Sequence, residues 1–406
     1  MPNMPVCSRA VSSGRRRACG VGVVALGVAM ASVLAACGGG SLSSDSGSES
    51  SESVKIGLVV PASGVYEPLG IDLTRGFELY LEQHDGKLGG KDVEVVKADE
   101  GEGPDKGVPA TTKVITQDRV GAVVGLVNSA TALGVKDTLT SSKTPLIVAN
   151  AGADTLADGS KYIWRTSFTN GAVGEALGAE VAKEVGGEPV YLMASDYAAG
   201  RESVAGFKKS FEAAGGKVAD EAYTPFGTTN DYQPYLSKIP RSGAKAVYVF
   251  YAGAEAVNFV KQYDAFGLAK DAPLYGAGFL TEGGVLKAQG AAADKIKTSL
   301  HYSDQIDSPE NKEFVDAYTE AYDAAPTVYS VQAYDAAAVL DQALEKADKT
   351  DGESIAEALG EVGEIASPRG TWSFDDDHNP DQPYFLREVQ STGGAPVNAI
   401  LSPLND

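Results

Sequence analysis

Cysteine and histidine are scarce in this sequence. Among 406 residues there are three of each, and all three cysteines (Cys7, Cys19 and Cys37) come before residue 40. The rest of the chain therefore has no disulfide and no catalytic thiol. The histidines at positions 84, 301 and 378 lie far apart, and no HExxH, GxSxG or complete phosphate-loop motif occurs. The sequence thus argues against an enzyme and predicts no catalytic residue, no metal site and no cofactor.

Lysine and arginine are also few relative to aspartate and glutamate. The 34 lysines and arginines face 55 aspartates and glutamates, which gives a formal net charge of −21 at pH 7. Such a chain is poorly suited to nucleic acid or to an anionic membrane surface, because both attract basic proteins. The length exceeds the roughly 250–300 residues at which single cores stop growing, so more than one compact unit is expected.

The first 36 residues are typical of a secretory signal peptide. No acid occurs before Asp45, four arginines lie within the first 17 residues, and residues 20–34 are small and apolar. This run is shorter than the roughly 20 residues of a spanning helix. At its end, "Leu34-Ala35-Ala36-Cys37" resembles the lipobox of bacterial lipoproteins.

The lipobox resemblance implies cleavage before Cys37 and attachment of a diacylglyceryl group to its thiol. Residues 37–53 are rich in Gly and Ser, which is typical of a flexible tether. The expected location is extracytoplasmic, with the membrane reached only through the lipid anchor. An ordinary secretory signal with a chance cysteine is the alternative.

From Val54 onward, short apolar runs alternate with segments of helical spacing. "VKIGLVVP" is typical of a buried strand, and "LTRGFELYLEQHDG" has the apolar spacing of a helix. The alternation restarts after "YIWRTSF", which gives two series. Strands that alternate with helices favour parallel sheets covered on both faces. The predicted fold class is therefore α/β, with two doubly wound, Rossmann-like lobes.

The ends of the predicted strands indicate where a ligand binds, because open α/β sheets bind ligands outside the carboxyl ends of their strands. In the first series these ends are "PASGVYEPLG", "ADEGEGPD", "LVNSAT" and "NAGADT". In the second they are "ASDYAAG", "TPFGTT", "YAGAE" and "AGFLTEGG". They are rich in Gly, Ser, Asn and aromatic residues, which favours a cleft for a small molecule.

Nearly all of residues 54–395 carries a family resemblance. In chain order, "GLVVPASGVYEPLG", "VGAVVGLVNSATAL", "PLIVANAGADTLA", "YIWRTSFTN" and "SPRGTWSFDDDHNP" resemble type I periplasmic binding proteins of the branched-chain amino acid (leucine-binding) family. The resemblance implies two lobes joined by three crossover strands: residues 54–173 with 304–377, and residues 174–303 with 378–406. A hinge is expected near Gly171 and residues 301–305.

The resemblance also implies a function. Such a chain is the extracytoplasmic substrate-binding component of an ABC importer, a monomer that closes over one small molecule. It delivers that molecule to a membrane permease whose ATPase subunits are separate chains. A ligand-sensing receptor without transport uses the same lobes and is the alternative.

Family likeness places a ligand carboxylate on the first lobe. The matching stretch is "VNSAT", where Asn128 and Ser129 precede a helix start that offers backbone N–H groups to an anion. A helix cap is the alternative role for Ser129. The next strand end adds backbone donors and acceptors at Asn150, Ala151 and Gly152.

A ligand ammonium group lacks an evident partner. Where the amino acid binders of the family have a glutamate, this sequence has Gly278. Asp196, Glu255 and Glu282 are the other acids near predicted strand ends. The ligand is expected to be a branched-chain or other hydrophobic amino acid if one of these acids reaches the cleft.

Four aromatic residues lie at predicted strand ends: Tyr66, Tyr197, Tyr251 and Phe279. Such side chains either pack around the rim or stack on a flat ligand. In the absence of an acid for the ammonium group, they favour the alternative ligand, an aromatic carboxylate resembling benzoate or hydroxycinnamate.

Overall fold

The structure is a computed structural model that describes residues 53–391 and 395–404. The predicted signal peptide, Cys37 and all of the tether up to residue 52 lie outside the described residues. In the described ranges, no helix combines the length and the apolar character that a membrane span requires.

The strands of the first sheet come from the first third of the described chain, and all strands of the second sheet come later in the chain. The bounds are β1 (Ser53–Val60), β2 (Lys87–Leu88), β3 (Lys91–Asp99), β4 (Ala122–Gly125), β5 (Leu146–Val148), β6 (Ile163–Arg165), β7 (Pro189–Ser195), β8 (Lys217–Thr224), β9 (Ala246–Phe250), β10 (Leu274–Ala277), β11 (Lys297–Leu300), β12 (Ser373–Phe374), β13 (Pro380–Asp381), β14 (Phe385–Gln390) and β15 (Val397–Pro403).

Helices follow most of these strands. Their bounds are α1 (Glu67–Gln83), α2 (Pro104–Lys113), α3 (Ser129–Gly134), α4 (Lys136–Ser142), α5 (Asn170–Glu184), α6 (Ala198–Ala213), α7 (Gln233–Leu236), α8 (Ile239–Ser242), α9 (Gly253–Ala265), α10 (Gly284–Gln289), α11 (Pro309–Tyr322), α12 (Val328–Lys346) and α13 (Gly352–Leu359).

Two separate sheets organise the body. The first has the strand order β2-β3-β1-β4-β5-β6, and the second has the order β15-β14-β11-β10-β9-β7-β8. Pairing is parallel except at the edges, where β2 joins β3 and where β14 and β15 extend the second sheet. The prediction of an α/β fold with two doubly wound lobes is confirmed.

The strands β12 and β13 form a separate two-stranded sheet, and the chain crosses between the lobes three times: after β6, after β11 and after β13. After the second crossing, α11 and α12 return to the first lobe and pack against α1. The contact is close at Gly76 of α1, where an added Cβ would lie 1.9 Å from the carbonyl oxygen of Ser330. Each lobe is thus built from separate stretches of the chain.

The helix α5 opens the second lobe and packs tightly on α6. An added Cβ at Gly206 would lie 2.0 Å from the carbonyl oxygen of Gly171, and one at Gly174 would lie 2.1 Å from that of Ser203. Glycine is required at both positions because the two backbones nearly touch. Since α5 begins at Asn170, the lobe boundary expected after residue 173 falls within its first turn.

Two stretches between strands each form a pair of short helices. The stretch after "VN" changes direction at Val135 and forms α3 and α4, each of seven residues or fewer. The stretch from residue 231 to 243 forms α7 and α8, because Pro234 and Pro240 each occupy the first turn of a short helix. The neighbouring strand ends are unaffected.

Candidate functional site

An enclosed inner cavity lies between the two lobes, at the carboxyl ends of both sheets. Its volume is about 20 Å³, which is room for about one water molecule. Both lobes supply aromatic side chains, and Asn150 and Gly152 add polar groups from the end of β5. The aromatic residues around it are Tyr66, Phe168, Tyr197, Phe250, Phe279 and Tyr329.

A larger outer cavity adjoins the inner one at Tyr197, which lines both. Its volume is about 790 Å³, and its walls include Asn128 of the first lobe and Phe226 of the second. The rim carries the acids Glu102, Asp105 and Asp196. A solute that enters between the lobes therefore meets a wide mouth with acids at its rim first and a narrow pocket with aromatic walls behind it.

A hydrogen-bonded pair of phenols lies where the two cavities adjoin. The hydroxyl of Tyr66, just before α1, lies 2.7 Å from the hydroxyl of Tyr197, just before α6. Phe226 packs against both rings, at centroid distances of 5.7 and 4.5 Å. Burial raises the pKa of both hydroxyls above the usual value, so both stay neutral. The pair is a direct hydrogen bond between the lobes.

Asn128, not Ser129, caps the helix α3. Its side-chain Oδ1 accepts from the backbone N–H groups of Ala130 and Thr131, at 2.9 and 3.2 Å. Ser129 is buried and lines neither cavity, and its Oγ accepts from Nδ2 of Asn170 at 3.4 Å. The two predicted carboxylate ligands thus lie side by side, with Asn128 facing the outer cavity.

A buried glutamate that the sequence did not single out lies behind this loop. Glu100, fully buried after β3, accepts from the backbone N–H groups of Val127 and Asn128 at 2.7 and 2.9 Å. Burial raises the pKa of Glu100 to about 8, against the opposing effect of these two donors. The two N–H groups are occupied, so they cannot serve a ligand anion.

At the end of β5 the three predicted residues have different surroundings. Asn150 and Gly152 line the inner cavity, whereas Ala151 is fully buried behind it in the apolar core of the first lobe. The N–H of Ala151 donates to the carbonyl oxygen of Leu126 at 2.8 Å. Of these residues, Asn150 alone carries a polar side chain to the cavity.

No carboxylate can extend from position 278 toward the ligand. An added Cβ at Gly278 would lie 2.6 Å from Nη2 of Arg387 and 2.6 Å from Cβ of Leu300. Arg387 occupies this space because its Nη1 pairs with Oε2 of Glu282 at 2.9 Å. Glu282 also accepts from the N–H of Val328 at 2.8 Å, so this acid is fully engaged.

The other two candidate acids have partners as well. Glu255 is buried, accepts from Oγ of Ser195 at 2.7 Å and from the N–H of Gly227 at 2.9 Å, and lines neither cavity. Burial raises its pKa. Asp196 lies on the rim of the outer cavity and pairs with Arg201 at 2.6 Å. Neither carboxylate faces the inner cavity.

Tyr251 lies outside both cavities. Its ring stacks on Phe259 in the second lobe's core, and its hydroxyl accepts from Oγ1 of Thr224 at 3.2 Å. The preceding residue, Phe250, lines the inner cavity instead. Phe279 does so too, at 4.6 Å from the ring of Phe168.

Comparison with known proteins shows the family of the chain. The family model described as periplasmic binding protein matches residues 53–395. The Leu/Ile/Val-binding protein homolog 6 of Brucella melitensis is 32% identical over 343 residues, which is 83% of this chain and 87% of that protein.

Several solved structures are similar. A solute-binding protein of an ABC transporter from R. palustris, in complex with benzoate, is 38% identical with a TM-score of 0.80, covering 86% of this chain and 97% of that one. One from Rhodopseudomonas palustris BisB5, with 3,4-dihydroxybenzoic acid, is 31% identical with a TM-score of 0.82, covering 86% and 97%.

An amino acid receptor is similar as well. The substrate-binding protein LivJ of Streptococcus pneumoniae, in complex with isoleucine, is 25% identical with a TM-score of 0.76, covering 87% of this chain and 100% of that one. The chain belongs to the type I periplasmic binding proteins of the branched-chain amino acid family, the solute-binding proteins of ABC transporters.

Proposed function

We propose that the chain captures an aromatic monocarboxylate of the size of benzoate and presents it to an ABC permease for import. The observation that carries the proposal is the composition of the inner cavity. Six aromatic rings surround it, and the candidate acids Asp196, Glu255 and Glu282 all have partners elsewhere.

The physical argument rests on charge. An amino acid brings an ammonium group, and burying that group without a carboxylate partner costs several kcal/mol. A benzoate-like acid has no such group, and its ring gains from offset or edge contacts with the aromatic walls. The two relatives in complex with benzoate and with 3,4-dihydroxybenzoic acid, at 38% and 31% identity, support the same ligand class.

Binding requires the lobes to move. The inner cavity, at about 20 Å³, is too small for a benzene ring while Tyr66 and Tyr197 are joined. We infer that these phenols part, admit the ring from the outer cavity and close again around it. The ligand then shifts the open–closed equilibrium by as much as it prefers the closed state.

Thermal unfolding of the full chain with a panel of solutes tests the ligand. Benzoate at about 100 times its dissociation constant should stabilise the chain by roughly 2.7 kcal/mol. Phenylalanine shares the ring and the carboxylate but adds the ammonium group, and benzamide lacks the charge, so both should shift the melting temperature less. A larger shift with leucine or phenylalanine than with any aromatic acid would contradict the proposal.

A hydrophobic amino acid is the second candidate, and one further acid favours it. Oε2 of the half-buried Glu202 accepts from Nδ2 of Asn170 at 2.8 Å, and the same Nδ2 reaches Oγ of Ser129. Glu202 therefore lies near the predicted carboxylate site, but it also accepts from the N–H of Asp154 at 3.2 Å and lines neither cavity. If leucine gives the larger shift and Glu202→Gln abolishes it, the amino acid is the ligand.

We also propose that the chain is a monomer held by a lipid on Cys37, with lobes 54–173 plus 304–377 and 174–303 plus 378–406. The lipid would keep the receptor near its permease and the separate ATPase chains.

Cys37→Ser should leave benzoate affinity unchanged and move the protein from the membrane fraction to the soluble fraction of fractionated cells. Retention in the membrane fraction would contradict the anchor.

A further inference from the structure

A chain of three buried side chains leads from the inner cavity to the junction of the lobes. Nδ2 of Asn150 lies 2.8 Å from Oε1 of Gln332, and Nε2 of Gln332 lies 3.1 Å from Nε2 of His301. Gln332 and His301 are fully buried, and Asn150 is 5% exposed. These three residues are called the relay below.

The relay ends beside the three segments in which the chain crosses between the lobes. His301 belongs to the second crossing, and its ring lies 5.9 Å from that of Phe168 in the first and 6.0 Å from that of Tyr384 in the third. Oγ1 of Thr166 donates to the backbone carbonyl of Gln332 at 2.8 Å, which fixes the middle of the relay to the first crossing. The relay therefore joins the cavity to all three segments that connect the lobes.

His301 carries one ring proton. Burial, helped by the guanidinium groups of Arg369 and Arg387, lowers the pKa of His301 well below the usual range, so the ring is neutral. Its Nδ1 is buried and has no hydrogen-bond partner among the described residues. Nε2 faces Gln332.

Two proton arrangements fit the same heavy-atom positions, because the oxygen and nitrogen of an amide are nearly isosteric. In one, the proton is on Nδ1, both amides donate toward His301, and Asn150 presents Oδ1 to the cavity. In the other, Nε2–H donates to Gln332, Gln332 donates to Asn150, and Asn150 presents Nδ2 to the cavity. Both terminal amides turn together.

The two arrangements differ in what they leave unpaired. The first buries the Nδ1–H donor of His301 without an acceptor, whereas the second leaves only a lone pair there. Orphaned N–H groups are rarer in proteins than acceptors with unused lone pairs, because a buried free donor loses its hydration without return. The second arrangement is therefore favoured.

We propose that Gln332 and His301 are positioning residues that turn the amide of Asn150 so that Nδ2 donates to the ligand. If the ligand is the aromatic acid of the proposed function, this donor meets its carboxylate. Only this step rests on the proposed function. An oxygen in the same place would repel the carboxylate.

The ring proton is directly observable in the full chain labelled with ¹⁵N at histidine. Long-range ¹H–¹⁵N correlation spectra distinguish the two neutral tautomers, and the sequence has only three histidines. His84 and His378 supply internal references, because Nδ1 of each lies 2.7 and 3.0 Å from a backbone carbonyl oxygen, to which only a protonated Nδ1 can donate. We expect His301 alone to show the Nε2–H pattern without ligand. An Nδ1–H pattern at His301 would overturn the proposal.

A variant tests the consequence for binding. Gln332→Met removes the relay and should raise the dissociation constant for benzoate about 3- to 10-fold by calorimetry, while His301 loses its preference for Nε2–H. The matched control is Gln289→Met, since Gln289 is a buried amide of the second lobe that donates to the carbonyls of Ala256 and Leu280 away from the cavity. The control should leave the constant unchanged.

The outcomes separate the two proposals. Equal benzoate affinity in wild type and Gln332→Met would overturn the relay and leave the proposed ligand intact. Failure of the wild type to bind any aromatic acid would overturn the proposed function, and the tautomer of His301 would then decide the relay alone. If Gln332→Met does not fold, the spectra of the wild type still test the relay.

Discussion

Arg387→Met should lower the free energy of unfolding by about 3–5 kcal/mol, the usual cost of removing one partner from a buried ion pair. Arg387 is fully buried, and Glu282 is 4% exposed. Besides Glu282, the guanidinium donates to the carbonyl oxygens of Tyr302 at 2.8 Å and Gly278 at 3.2 Å. Methionine fills much of the volume but leaves the carboxylate of Glu282 buried without a counter-charge.

Urea unfolding of the full chain without ligand measures this effect. The double variant Arg387→Met with Glu282→Gln removes both charges and should recover much of the loss, because a buried pair gains little over neutral groups. Lys312→Met breaks an exposed pair with Asp316 on α11 and should leave the midpoint unchanged. A midpoint for Arg387→Met equal to that of the wild type would show that the pair is not buried as described.

Phe279→Ala is expected to lower the free energy of unfolding by about 3–5 kcal/mol and to change the size of ligand accepted. The ring of Phe279 is 2% exposed and lies 4.6 Å from that of Phe168, 6.0 Å from that of Phe250 and 6.1 Å from that of Tyr329. Its removal enlarges the inner cavity from the second lobe. Benzoate should bind more weakly, and 2-naphthoate should bind more tightly than it does to the wild type.

Phe259→Ala is the matched control for this prediction. Phe259 is equally buried, but it packs among Tyr232, Tyr251 and Tyr263 in the core of the second lobe. This variant should lose comparable stability without changing the ratio of benzoate to 2-naphthoate affinity. If the ratio changes in both variants or in neither, Phe279 does not define the ligand's space.

The sheets and the edge at which the two cavities lie could be predicted from the sequence, because strand–helix alternation fixes which loops lie at the carboxyl ends of parallel strands. Side-chain direction could not be predicted at the same level. Phe250 and Tyr251 are adjacent at the end of β9, and successive side chains point to opposite faces. A prediction that is wrong by one residue therefore names Tyr251, whose ring lies in the core, in place of Phe250, whose ring lines the inner cavity.

Contacts between residues that are far apart in the sequence could not be predicted either. Glu282 and Arg387 are 105 positions apart, and nothing local indicates that their ion pair fills the space beside Gly278. Tyr329 reaches the inner cavity from α12, whose pattern is that of an ordinary buried helix. Glu100 has no distinguishing neighbour in sequence and becomes notable only because β3 ends beneath the loop of Asn128.

The three crossings between the lobes have a consequence for biosynthesis. The helix α1 ends at Gln83, but the helix that covers it, α12, begins only at Val328. At about 5–20 residues per second, the ribosome needs roughly 12–50 s to make the intervening 244 residues. During that time the first lobe lacks its cover and cannot complete its core. The topology thus delays folding until most of the chain has been made, which keeps it available in an unfolded form for export to the extracytoplasmic side.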